Sequence, residues 1–214
     1  MRTDRPAHAA GSAAARSRPR WPAALCLAVC VMFFGPLAAT AAEPWTVARL
    51  MQLLAGRGPE RAAFTETKFI AMLDKPVVAS GELRYAPPGR LEKRTVKPRA
   101  ELLVLDRGML SVERGGQTQT LRLADYPEIA AVVESIRGTL AGDRSALERV
   151  YRLDLHGTPE RWTLVMLPSD QKLAALVQRI DVSGNGDYVR AIEILQADGD
   201  RSVMSIERFG KAAQ

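Results

Sequence analysis

Side chains able to do chemistry are sparse in this sequence of 214 residues. His156 is the only histidine beyond the first ten residues, so a Ser-His-Asp triad would have to use it. Its context, Asp154-Leu155-His156-Gly157, is a strand end before a turn and reads as an exposed imidazole. No Gly-x-Ser-x-Gly elbow surrounds a serine. No Walker loop and no Gly-x-Gly-x-x-Gly follow a strand. Ser183-Gly184-Asn185-Gly186-Asp187 is glycine-rich, but it links two strands and opens no helix, so a hairpin loop accounts for it. Glu66 and Lys68 share one strand face and read as a cross-charged surface. Asp198 and Asp200 match a fragment of a calcium loop, without the glutamate that completes one. Two cysteines exclude a disulfide-rich scaffold and a four-cysteine zinc site. The expectation is no enzyme, no cofactor and no metal.

The first 42 residues differ from the rest. Arg2, Arg5, Arg16, Arg18 and Arg20, with a single acid, Asp4, precede an apolar run from Trp21 to Ala39. Ala39-Thr40-Ala41 then supplies a small-x-small cleavage signature. This is the layout of a secretory signal peptide with a long basic n-region, cut after Ala41 or Ala42. An uncleaved anchor is the rival reading; Pro36 and the small residues after it favour cleavage. Cys26 and Cys30 both fall in the apolar run, and Val29 is too large to precede a lipid-modified cysteine. The domain reading is therefore a signal peptide over 1–42 and one domain over 43–214. Removing the leader leaves 25 Lys+Arg against 23 Asp+Glu, so the net charge falls from +6 to +2. The basicity belongs to targeting, and nucleic acid is not an expected partner. No later apolar segment is long enough to span a bilayer. The periplasm is the expected address, and nothing predicts more than a monomer.

The elements that must position any site follow from periodicity. A domain of this size buries roughly 70% of its unfolded surface and needs no staple. Val47, Leu50, Met51 and Leu54 form one helical stripe over Trp45 to Ala55, ended by Gly56 and Gly58-Pro59. Strands follow over 62–73, 77–85, 91–96, 101–105, 110–113 and 118–123, with a hairpin signal at Arg114-Gly115-Gly116-Gln117. The period then returns to helical: Ile129, Val132, Val133, Ile136 and Leu140, with Pro127 near the start and Gly142 just past the end. A short helix is expected over 145–151. Strands resume over 151–156, 161–167, 176–182, 188–196 and 201–209. The fold class is α+β: about ten strands in one strongly curved, unclosed antiparallel barrel, with two or three helices as a lid on its concave side.

A sheet so curved encloses more space than a few short helices fill. That space would be apolar and suited to an acyl chain. The residues expected to form the cavity and its lid are Phe64, Leu83, Tyr85, Leu91, Ile129, Val132, Val133, Ile136, Trp162 and Leu164. A glutamate at Ile129 or Val133 is expected to weaken binding without unfolding the chain.

At this point the sequence resembles a family. The match lies in Ala63-Phe64-Thr65-Glu66 followed by Lys68, then Pro76, Ser80-Gly81-Glu82-Leu83-Arg84-Tyr85, Pro88 and Leu91. It continues in Leu103-Val104-Leu105-Asp106-Arg107-Gly108, Leu140-Ala141-Gly142-Asp143 and Trp162-Thr163-Leu164-Val165-Met166-Leu167-Pro168. In order and spacing, from about Trp45 to Gly210, these resemble the LolA/LolB-type periplasmic outer-membrane lipoprotein carriers, in particular a divergent LolA-related branch. The resemblance implies a hydrophobic cavity under a helical lid, no reaction and no cofactor. It implies an acylated lipoprotein or lipid as cargo, an inner-membrane transporter as donor and an outer-membrane acceptor. Main-branch carriers place an arginine just before the proline that follows the Gly-x-Leu strand, where it helps hold the lid. Here the run is Tyr85-Ala86-Pro87-Pro88-Gly89-Arg90, which displaces the nearest such arginine to Arg90. The next strand begins Leu91-Glu92-Lys93-Arg94, where the main branch is aromatic-rich. Divergent members resemble helpers of lipid or aryl-polyene export systems. A non-enzymatic accessory module docking on such a membrane complex is thus the alternative reading, and a fully packed core would favour it.

Overall fold

The structure, a computed structural model, describes residues 44–209; the leader expected over 1–42 lies outside the described residues. Alternating apolar and polar positions, punctuated by glycine turns, give eleven strands. They are β1 (Glu60–Phe69), β2 (Val77–Ala86), β3 (Arg90–Lys97), β4 (Glu101–Asp106), β5 (Met109–Arg114) and β6 (Gln117–Arg122), then β7 (Tyr151–Thr158), β8 (Arg161–Pro168), β9 (Val177–Asn185), β10 (Tyr188–Gln196) and β11 (Arg201–Arg208). Gly115 and Gly116 both take positive φ, 59° and 77°, as the two-residue turn between β5 and β6 requires.

All pairings are antiparallel, in the order β6-β5-β4-β3-β2-β1-β11-β10-β9-β8-β7. The first and last strands therefore meet in the middle of the sheet, with Phe64 opposite Ile206. The mid-chain strands β6 and β7 are its two edges and do not pair with each other. The chain passes between them through helices, which makes the architecture an unclosed barrel. Eleven strands stand where about ten were expected.

The helices are α1 (Val47–Ala55), α2 (Pro127–Ala141), α3 (Arg144–Glu148) and α4 (Gln171–Ala174), with a 3-10 turn at Leu123–Asp125 before α2. α4 was not anticipated. It is a single turn, too short for periodicity to reveal, and is capped by the Asp170 carboxylate accepting from the Lys172 and Leu173 N–H groups at 2.9 Å. Thr46 caps α1, and Leu50, Met51 and Leu54 are buried, each stabilising by roughly 1.5–3 kcal/mol. They join the main core with Tyr151, Trp162, Leu164, Met166, Ile180 and Val182 over β7 to β10. A second, smaller core of Leu105, Leu110 and Leu123 lies at the other end of the sheet.

α2 contributes to both cores. Its most buried positions are Ala131, Ser135, Gly138 and Thr139, not the branched residues that mark its periodicity. Small side chains let α2 approach α3: a Cβ on Gly138 would stand 2.9 Å from Leu147 Cδ2. Both hydroxyls are satisfied within the helix, Ser135 Oγ donating to the Val132 carbonyl and Thr139 Oγ1 to the Ser135 carbonyl. Val132, Val133, Ile136 and Leu140 remain partly exposed.

Candidate functional site

Between α2 and the sheet lies a cavity of about 300 Å³. Its roof is Val133, Ile136 and Leu140 of α2, and its walls include Leu83, Tyr85, Leu91, Leu103, Leu105 and Leu110 from β2 to β5, with Ile192, Ile194, Met204 and Ile206 from β10 and β11. Strand alternation explains the set. Leu91 pairs with Leu105 and Lys93 with Leu103, so one face of these two strands projects its larger side chains to the same side.

Five of the ten residues expected at the site come together here: Leu83, Tyr85, Leu91, Val133 and Ile136. Phe64 is buried on the same face of β1 as Ala62 and Glu66 but does not line the cavity; it lies against Gly81, with Lys93 Nζ 5.0 Å from its ring centre. Trp162 and Leu164 belong to the packed core over β8; the Trp162 indole covers Gly184 and its Nε1 donates to the Gly186 carbonyl at 2.9 Å. Val132 packs on the main core from the side of α2. Ile129 lies in the first turn of α2, 42% exposed, and does not line this cavity. His156 stands with Asp154 on the outer side of β7, both more than half exposed, away from any enclosed space.

The cavity is not wholly apolar. Glu66, expected on a charged surface, is 6% exposed and faces inward. Its position two residues beyond Phe64 and four beyond Ala62 puts it on their buried face. It accepts from Lys93 Nζ at 2.5 Å and Ser202 Oγ at 2.7 Å. Burial pushes its pKa up, but the Lys93 bond and charge, helped by Ser202 and Lys68, outweigh this and hold it below the ordinary glutamate value.

A second polar group was missed in the sequence because it sits between helix-breaking glycines. Arg57, in Gly56-Arg57-Gly58, folds its side chain inward until 6% remains exposed, and pairs with Glu60. Tyr188, at the start of β10, is likewise buried. Both line the cavity. Tyr188 also lines a shallower, more open depression outside, with Pro159, Asn185, Asp187, Arg190 and Arg208.

The lid is held from its own side. Arg90, the displaced arginine of the β2–β3 turn, bonds Glu92 and Asp106 on the sheet. Arg137 of α2 instead lies over that turn, where a Cβ on Gly89 would stand 3.2 Å from its Cδ. Arg137 is anchored by Glu134 and Asp143, which raise its pKa further. Among the described residues no group of three or more His, Cys, Asp or Glu side chains could hold a metal ion, and no helix is long and apolar enough to cross a membrane.

An unclosed antiparallel barrel, bridged by a helix over a largely apolar cavity, defines a class: curved sheets that enclose space beneath a helical lid. The particular family follows from sequence. The model for "outer membrane lipoprotein carrier protein LolA-like" matches residues 39–213, and the chain belongs to that family. No curated protein sequence matches. Similar solved structures include a LolA superfamily protein from Nitrosomonas europaea, 9% identical with a TM-score of 0.41, covering 79% of this chain and 96% of that one. A putative outer membrane lipoprotein-sorting protein domain from Vibrio parahaemolyticus is 10% identical with a TM-score of 0.41, covering 78% and 92%. A DUF1329 family protein from Desulfovibrio piger is 11% identical with a TM-score of 0.46, also covering 78% and 92%.

Proposed function

We propose that this protein is a non-enzymatic periplasmic carrier. In this reading it shields the acyl part of a lipoprotein or lipid in the cavity under α2, takes it from an inner-membrane transporter and delivers it to an outer-membrane acceptor. The observation that carries this reading is the roof: Val133, Ile136 and Leu140 line enclosed space and stay partly exposed, while the fully buried positions of α2 are small residues. Each methylene moved from water into that space contributes about 0.8 kcal/mol. Release requires that the protein can close over the same apolar surface, and a single helix bridging two small cores is suited to shift. A fully packed interior would favour the accessory docking module; the cavity argues for the carrier.

Native mass spectrometry of the protein recovered from the periplasm, followed by organic extraction, is the direct test. A stoichiometric acyl adduct is expected. Val133→Glu should weaken binding of a fluorescent lipid probe by at least about ten-fold, because a carboxylate would have to be desolvated, with the melting transition retained. A bare protein that also fails to bind the probe would sink the carrier reading.

A further inference from the structure

Two buried donors at one end of the cavity have no acceptor. Arg57 Nη2 pairs with Glu60, but Nη1 is buried without a hydrogen-bond partner among the described residues. The Tyr188 hydroxyl is buried in the same condition. The two groups are neighbours: Arg57 Cζ lies 6.0 Å from the Tyr188 ring centre. Unsatisfied polar groups in such a position are costly, more so when charged. Guanidinium is a donor only, so only an acceptor can satisfy Nη1, and an anionic acceptor does so most strongly. Glu60 does not supply this, because its carboxylate is shared with Arg208, whose Nε donates to it at 2.7 Å. Asp187, Glu160 and Glu207 lie along the outer depression. Burial is the largest influence on Arg57 and lowers its pKa; an oxyanion against Nη1 would offset that desolvation.

The rest of the cavity supplies the other half of a ligand. Leu83, Leu91, Val133 and Ile136 line the same cavity and supply apolar wall. The volume, about 300 Å³, stands at the bottom of the range for ligand pockets, roughly 300–1,000 Å³, which fits one chain better than several. Tyr188, shared with the outer depression, puts the polar end next to solvent.

We infer that Arg57 and Tyr188 form a head-group site for a single-chain lipid that ends in an oxyanion, a carboxylate or a phosphate ester. This rests on the carrier reading and specifies the chemistry of its cargo. The polar head docks on the two free donors while the chain runs under α2.

Parinaric acid and its methyl ester test it, because they share one fluorescent chain and differ in the charge of the head. Protein produced from the full sequence and stripped of lipid should bind the acid about ten-fold more tightly than the ester. Tyr188→Phe, which keeps the ring, and Arg57→Met, which leaves Arg208 to Glu60, should each remove most of that preference. Ester affinity should stay within about two-fold in both. Equal affinity of the unaltered protein for acid and ester would overturn the head-group site and leave the carrier reading standing. Binding of neither would overturn the carrier reading itself. A preference that survives both substitutions would overturn the assignment to these residues. Displacement of the acid by inorganic phosphate alone would mark a free-anion site and overturn the lipid inference.

Discussion

The Glu66 carboxylate is charged inside a largely apolar wall, and its partners decide the consequence. Lys93 is 23% exposed at its side chain and Glu66 7%, so the pair is largely desolvated and neither group tolerates loss of the other. Glu66→Ala should destabilise the fold by roughly 3 kcal/mol, whereas Glu66→Leu with Lys93→Met should recover most of it. The sign of the pH dependence follows from the lowered pKa. The fold favours the ionised carboxylate over the unfolded chain, so the stabilisation is complete above the unfolded value of about 4.3. It is lost as pH falls from there through the folded value. Urea denaturation at pH 7 and pH 3 should show a wild-type advantage over Glu66→Ala that shrinks at the lower pH; an unchanged advantage would contradict the pairing. The inward direction of Glu66 was legible from its spacing to Ala62 and Phe64. Its partner was not, because Lys93 arrives from β3, two strands away, and no local pattern encodes that meeting.

At the scale of elements, α1 closely approaches the residue that caps α2. Gly142 caps α2 with φ of +65°, and a Cβ there would stand 2.2 Å from the Met51 carbonyl oxygen. Backbone conformation and helix approach thus both demand glycine. Gly108 has a similar φ, +75°, but open space around its Cα. Alanine at Gly108 should cost about 1 kcal/mol. Alanine at Gly142 should cost at least about 2 kcal/mol, because α1 must also move. Thermal melts of the two variants separate the terms, and equal shifts would show that the helix contact contributes nothing. The end of α2 was readable from Gly142 in the sequence. Its most buried face was not, because the branched residues Val133, Ile136 and Leu140 carry the periodicity while Ala131, Ser135, Gly138 and Thr139 are the buried positions.

For the whole molecule, the lid must part from the sheet if cargo is to pass. α2 touches the β2–β3 turn where Arg137 lies over Gly89. The cysteines at 26 and 30 are the only two in the sequence, so protein produced without residues 1–42 would offer a clean background for a new crosslink. Gly89→Cys with Arg137→Cys places two thiols within reach of disulfide geometry, a Cβ–Cβ separation of about 3.5–4.5 Å. The oxidised form should release bound lipid probe several-fold more slowly than the reduced form, with dithiothreitol restoring the rate. Identical release before and after reduction would mean that cargo leaves by another route.

Taken by itself, the sequence determined the elements. Alternation, helical periodicity and the Gly, Pro and Asp turn residues are local properties, so nine of the eleven strands fall within about two residues of where periodicity put them, and the helices around Leu50 and Val133 with them. It also determined the apolar character of the strands that must enclose something. Only the tertiary structure decided which apolar residues line space and which fill it. Trp162 and Leu164 are as apolar as Leu83 and Leu91, yet they fill the main core, where α1, α2 and α3 add side chains over β7 to β10. It also decided that Arg57, set in a glycine-rich break, and Tyr188, 131 residues later, share one end of a cavity. Long-range antiparallel pairing of β1 with β11 brings those segments together, and the free energy of that closure depends on contacts no single stretch of sequence contains.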